Sequence, residues 1–248
     1  MKEELIKIAK EVPYNSFGPF LVSDAIPYNS RLGGNCVLQN RMLTELLFQS
    51  GYKDVSYIST TEGITHYATL CSEGNSLYYL DPFILQKEPL SLSKLFSKGR
   101  VAIEAYPNEN KLIFQTTGEN MFSVTVETTK DNQRENIRTY VYDLQQSFPR
   151  LPELGDESLL HRQKSLVLRV LTSEIEFQQI SLDHNTGLMS FKSTHPDGKR
   201  WRQRYDTVPF TQQMTSISEV IGVTTYELEH AFYNAHNSYL QRFSNRTV

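Results

Sequence analysis

"SRLGGNCVLQNRMLTELLFQSGY", residues 30–52, sets a glycine pair, Gly33 and Gly34, just ahead of Cys36, with an apolar helical pattern directly behind the cysteine. Glycine loses more conformational freedom on folding than any other residue, so the pair implies a sharp turn or a close backbone approach before the helix. Val37, Leu38, Met42, Leu43, Leu46 and Leu47 recur at helical spacing and predict a helix starting at Asn35 or Cys36, with Gly51 as its stop. A cysteine that opens a helix meets free backbone N–H groups and the positive end of the helix dipole, which favour the nucleophilic thiolate. The competing reading makes Cys36 a small core hydrophobe, since free cysteine is among the most buried residue types.

Outward from this stretch the pattern changes character twice. Upstream, "MKEELIKIAKEV" reads as an amphipathic helix in which Ile6, Ala9 and Lys10 follow Leu5 at helical spacing, ended by Pro13. Residues 13–34 are irregular and rich in Pro, Gly, Asn and Ser. Downstream, the period becomes two from Val55 onward: "VSYIST", "THYATLCS" and "SLYYLDPF" read as strands, with a hairpin turn at Glu73, Gly74 and Asn75. Strands "RVAIEAYP", "KLIFQTT", "MFSVTVETT" and "IRTYVYDL" follow, separated by turns at 107–110, 118–120 and 130–136. The Pro- and Gly-bearing segment "SFPRLPELGDES", residues 147–158, marks a boundary. Four more strands with turns at 185–187 and 196–198 lead to the helices "SISEVIG" and "TTYELEHAFYNAHNSYLQRF", the last with Thr224 and Glu227 at capping-box spacing. The sequence therefore predicts an α+β fold in three parts: a helical segment 1–52 carrying Cys36, a central antiparallel β-barrel 53–146, and a C-terminal α/β, lid-like domain 147–248.

Composition narrows the function classes. The 248 residues are 39% hydrophobic and 21% charged, enough apolar surface to offset chain entropy, so the chain is a folded globular protein. A net charge of −3 gives no sign of a nucleic-acid binder, and the basic stretch "KRWRQRY", residues 199–205, reads as a solvated strand face. Two cysteines, Cys36 and Cys71, lack both zinc spacing and the number a disulfide framework needs. The N-terminus has no apolar core of a signal peptide, and no apolar run reaches the ~20 residues of a membrane span. A cytoplasmic protein with reduced thiols, no metal, and no nucleic-acid or membrane partner is expected.

A cysteine nucleophile needs a base, and the base an orienting group. His66 falls in the strand "ITHYATLC" and Asp81 at the end of the next strand, across a hairpin, where strands ~4.8 Å apart allow the two to bond directly. His66, Ala68 and Leu70 share one face, and Tyr67, Thr69 and Cys71 the other. This parity argues against a Cys36–Cys71 disulfide and makes Cys71 a packing residue. Singly, a strand histidine and an Asp before Pro have structural explanations. In the order Cys, His, Asp they match a papain-like arrangement.

"RLGGNCVLQN" resembles the active-site motif of the arylamine N-acetyltransferases, Arg-x-Gly-Gly-x-Cys with Asn four residues later; Arg31, Gly33, Gly34, Cys36 and Asn40 match it. The resemblance implies a catalytic histidine and aspartate on successive strands, where this chain has His66 and Asp81. It extends more weakly to "PLSL", residues 89–92, and to "SISEVIGVTTYELEHAF". It implies ping-pong transfer of an acyl group from an acyl-CoA or other thioester co-substrate to a small amine, with no permanently bound cofactor. Gly34, Asn35 and Phe83 are then candidates to touch substrate, and Arg31, Gly33 and Asn40 to shape the loop. "DPFILQ", residues 81–86, stands where the family has a glycine-rich turn, pointing to an apolar cleft. Two alternatives stay open: an amide synthase or transglutaminase-like hydrolase using the same triad, and an inactive binding domain.

Overall fold

The computed structural model describes residues 1–62, 65–107, 110–130, 133–154, 160, 165–174, 176–194, 200–205 and 210–243. These residues form a mixed α/β structure with six α-helices and three antiparallel sheets. The chain divides into two compact units, each built from separated segments. The first comprises Met1–Glu11 and Cys36–Pro152, the second Val12–Asn35 and Glu153–Val248. The expected division at 52/53 and 146/147 cuts the chain differently. The Cys36 helix belongs with the strands that follow it, and residues 12–35 belong with the C-terminal segment, because each supplies the apolar face that its partner strands need.

In the first unit, α1 (Lys2–Glu11) packs on α3 (Cys36–Gln49), and α3 packs on β3 (Tyr67–Glu73). The buried side of α1 is Leu5, Ile8 and Ala9; Ile6 is only half-buried, since at 3.6 residues per turn position 8, not 6, joins 5 and 9. Helix α3 begins at the cysteine and buries Val37, Leu43 and Leu47 completely, each such side chain stabilising the fold by roughly 1.5–3 kcal/mol. Its buried side also carries Gln39, Asn40 and Thr44. One sheet runs β2 (Val55–Ser59), β3, β4 (Ser76–Leu80), β5 (Leu90–Ser91). The other runs β6 (Arg100–Ala105), β7 (Asn110–Thr116), β8 (Met121–Lys130), β9 (Gln133–Asp143). The strands expected to form a barrel are divided between these sheets, which isolated bridges link at Thr60 with Tyr142 and Gln86 with Ala105. One core, including Ile58, Leu70, Tyr79, Phe114, Phe122 and Tyr142, fills the space they enclose. The short helix α4 (Leu92–Lys98), capped by Ser91 and ended by left-handed Gly99, was legible only as the run "PLSL".

In the second unit, β1 (Tyr14–Asn15) leads a five-stranded sheet with β10 (Ser165–Leu171), β11 (Phe177–Asp183), β12 (Met189–Thr194) and β13 (Arg200–Tyr205). Helices α2 (Gly18–Ser23), α5 (Phe210–Ile221) and α6 (Thr225–Phe243) complete it. Its core joins Phe17, Phe20 and Leu21 to Leu166, Leu168, Ile180 and Phe232. The capping box forms as expected: Glu227 N–H donates to Thr224 Oγ1 at 3.1 Å, and Thr224 N–H to Glu227 Oε2 at 2.7 Å. The turn expected at 196–198 and Lys199 of the basic stretch lie outside the described residues, as does 131–132. Strand β9 already occupies 133–136, so the turn read at 130–136 is narrower than expected. Among the described residues, no helix is long and apolar enough to cross a membrane.

Candidate active site

The glycine pair has a local use in the second unit. Gly33 has φ 72°, and a Cβ there would fall 1.9 Å from the Pro13 carbonyl oxygen, so only glycine fits. Gly34 N–H donates to Pro13 O and its carbonyl accepts from Asn15 N–H, both at 2.9 Å. Its backbone is thus occupied by the fold rather than open to a substrate. Asn35 is buried, and the Arg31 Nη1 donates to the Gly222 carbonyl at 2.7 Å, tying its loop to the α5–α6 turn. These four residues belong to the second unit. The chain enters the first at Cys36.

There, Cys36 opens α3 and is almost fully buried, as are His66 and Asp81. His66 lies one residue ahead of β3 rather than inside it. Thr60 nevertheless holds it in register: Thr60 N–H donates to His66 O at 3.0 Å, and His66 N–H to Thr60 Oγ1 at 3.1 Å. Thr69 pairs with Leu80, so Asp81 follows directly on the strand across the hairpin, as the sequence implied. His66 Nε2 and Asp81 Oδ2 are 2.6 Å apart, and Cys36 lies close enough to His66 to help raise its pKa. With Nε2 donating to the carboxylate, Nδ1 is the nitrogen left for the thiol. The structure thus brings all three predicted residues together.

Asp81 is fixed from several sides. Its Oδ2 also accepts from the Tyr79 hydroxyl at 3.0 Å, Oδ1 accepts from Phe83 N–H at 3.0 Å, and its own N–H donates to Gln86 Oε1 at 2.9 Å. The Tyr79 and Tyr142 hydroxyls lie 3.1 Å apart. Tyr79 has one proton, and the carboxylate is the stronger acceptor, so Tyr142 donates to Tyr79 and Tyr79 to Asp81. Burial first, then the Asp81 charge, holds both phenols well above their ordinary pKa, so they remain donors. Burial alone would lower the His66 pKa; the Asp81 charge and hydrogen bond, followed by Cys36, outweigh it and raise it well above 6.5.

Asn40 links Cys36 to the residue next to His66. Its Nδ2 donates to the Cys36 carbonyl at 2.7 Å and to the Tyr67 carbonyl at 2.8 Å, while Thr69 Oγ1 donates to its Oδ1 at 2.7 Å. One buried amide therefore fixes the first turn of α3 against the residue next to His66. Phe83 and Tyr140 flank the imidazole, with ring centroids 4.6 and 4.9 Å from it. Cys71 is buried and reduced, and burial pushes its thiol up to about 11. Among the described residues, no group of three or more His, Cys, Asp or Glu side chains could hold a metal ion.

Sequence reasoning missed Tyr79, Gln86, Tyr140 and Tyr142. Tyr79 carried a signal, since it stands two residues before Asp81 on the same strand face. Tyr142 carried none, being 63 positions from Tyr79 in the chain.

Compared with models of known protein families and with curated proteins, the chain matches none.

Proposed function

We propose that the protein is an acyltransferase that moves an acyl group from a thioester, such as an acyl-CoA, to an amine through an acyl-cysteine on Cys36. The observation that carries this reading is the shared burial of Cys36, His66 and Asp81, with His66 Nε2 2.6 Å from Asp81 Oδ2 and Cys36 near enough to help raise the His66 pKa. The likeness of residues 31–40 to the arylamine N-acetyltransferase motif supports it, as a divergent relative. The two bridged sheets of the first unit support a barrel-like frame of the kind that likeness implies. A reducing, cytoplasmic setting suits two free thiols.

In the proposed reaction the Cys36 proton passes to His66 Nδ1, and the thiolate attacks the thioester carbonyl. The donor's C–S bond breaks, its sulfur takes the proton from His66, and an acyl–Sγ bond remains on Cys36. An amine then attacks that carbonyl and gives its proton to His66. The bond to Cys36 breaks as the amide forms, and His66 returns the proton to the thiolate. Asp81 keeps Nε2 protonated throughout and stabilises the imidazolium. Water in place of the amine would give hydrolysis from the same intermediate.

Intact mass spectrometry after incubation with a panel of acyl-CoAs tests the reading. An acyl adduct that maps to Cys36 and disappears in Cys36→Ala is expected. No adduct with any donor, together with Cys36 alkylating at pH ~6 no faster than an ordinary thiol, would leave an inactive binding domain.

A further inference from the structure

Alternate residues of β9 run from the floor of the site to its rim. Tyr142 is fully buried and bonded to Tyr79, Tyr140 lies against the His66 ring, and Arg138, next on the same face, is exposed. Same-face neighbours on a strand stand roughly 7 Å apart, so Arg138 is the next residue outward from Tyr140 on that face. Its guanidinium lies over the Tyr140 ring, 5.9 Å from the centroid, and Nη1 reaches the Tyr140 hydroxyl at 3.4 Å. Among the described residues it has no carboxylate partner. The register slips immediately beside it: Val126 pairs with Arg138 but Glu127 with Asn136, a bulge that re-aims the strand at this point. Val126 and Val124 stand opposite Arg138 and Tyr140 across the strand pair.

We propose that Arg138 anchors a carboxylate on the substrate, so that the acyl donor or the amine lies across Tyr140 with its reacting atom at Cys36 and its anionic end at the rim. A single oriented guanidinium over an apolar wall matches a planar monoanion bound through two N–H groups. This inference rests on the reading of Cys36 as the reactive nucleophile.

Maleimides test it without knowledge of the substrate. The thiolate adds across their double bond and the neighbouring carbon takes a proton from water, so nothing leaves. Labelling rates at Cys36 are measured by intact mass and peptide mapping for N-ethylmaleimide, 6-maleimidohexanoic acid and the methyl ester of that acid. The acid should react about fivefold faster than its ester at low salt, the scale of one exposed ion pair, and the preference should fade in molar salt. Arg138→Gln should bring the ratio to about one, and Arg138→Glu should invert it, with N-ethylmaleimide as the internal reference in each protein. An acid-to-ester ratio near one in the wild type, or one unchanged in Arg138→Gln, overturns the anchor alone. Failure of N-ethylmaleimide to label Cys36 overturns the reactive-thiol reading and the anchor with it.

Discussion

Asp81 accepts from an imidazole, a phenol and a backbone amide at once, so His66 meets a carboxylate with little freedom to turn. Cys36→Ser should lower turnover on the order of 10³-fold or more with the fold intact, because the hydroxyl is far harder to ionise. His66→Ala and Asp81→Asn should each inactivate, and the double variant should lose little beyond the worse single one, since the pair acts as a unit. Steady-state rates of the four proteins check this; simple addition of the two losses would remove the triad assignment. Cys71, with its thiol raised to about 11 by burial, should take up no iodoacetamide at pH 8 while Cys36 labels fully, as peptide mapping would read. Cys36, His66 and Asp81 were legible because each sits at a recognisable local position: a helix start, a strand edge, a strand end. Their supports were not. Tyr140, Tyr142 and Arg138 reach the site from β9, and no spacing rule within β3 and β4 points to them.

The segment Asp81–Gln86 closes the site from the end of β4. Phe83 gives its N–H to Asp81 and its ring to His66, and Leu85 takes a left-handed conformation, φ 58°, usual for glycine. The backbone at Leu85 is thus glycine-like, while Phe83 adds bulk beside His66. Longer or aromatic acyl thioesters should therefore acylate Cys36 faster than acetyl-CoA, and Phe83→Gly should narrow the difference, in single-turnover acylation across a donor series. Acetyl-CoA reacting fastest, with Phe83→Gly without effect, would contradict it. In α6 the capping box predicts that Thr224→Ala costs about 1 kcal/mol, read as a fall in urea midpoint at unchanged slope. Element types were legible wherever the period was clear. Helices α2 and α4 escaped because six or seven residues hold too few turns to show a period.

Across the whole chain, the three-part plan read from turn signals gave way to two interleaved units, since sequence order does not reveal which separated segments share a core. The second unit carries a pH dependence of its own. His184 Nδ1 and His236 Nδ1 are 3.1 Å apart, and the His184 ring stacks on Tyr239 at 3.6 Å, joining the end of β11 to α6. Burial, then the neighbouring His236, lowers the His184 pKa from 6.5 to about 4, partly offset by Asp183; burial lowers that of His236 as well. Folding therefore keeps His184 neutral while the unfolded chain binds a proton between pH 6.5 and 4. Stability is full above pH 6.5 and falls as pH drops through that window. Thermal melts at pH 7, 6 and 5 should show a falling Tm, and His184→Phe should flatten the dependence across that range. A slope unchanged by the substitution would show that other groups set it.

The interleaving also orders events during synthesis. Ser16 N–H donates to the Val167 carbonyl at 2.9 Å and its Oγ accepts from Val167 N–H at 2.8 Å, 151 positions later in the chain. A ribosome adding ~5–20 residues per second needs roughly 8–30 s to cover that distance. For that interval Phe17, Phe20 and Leu21 have emerged, yet the strands that will cover them have not been made. Meanwhile every residue of the Cys36 unit has been made once Pro152 is added. The unit bearing Cys36 is thus free to fold first, and the early segment 12–35 must wait for the last third of the chain to arrive.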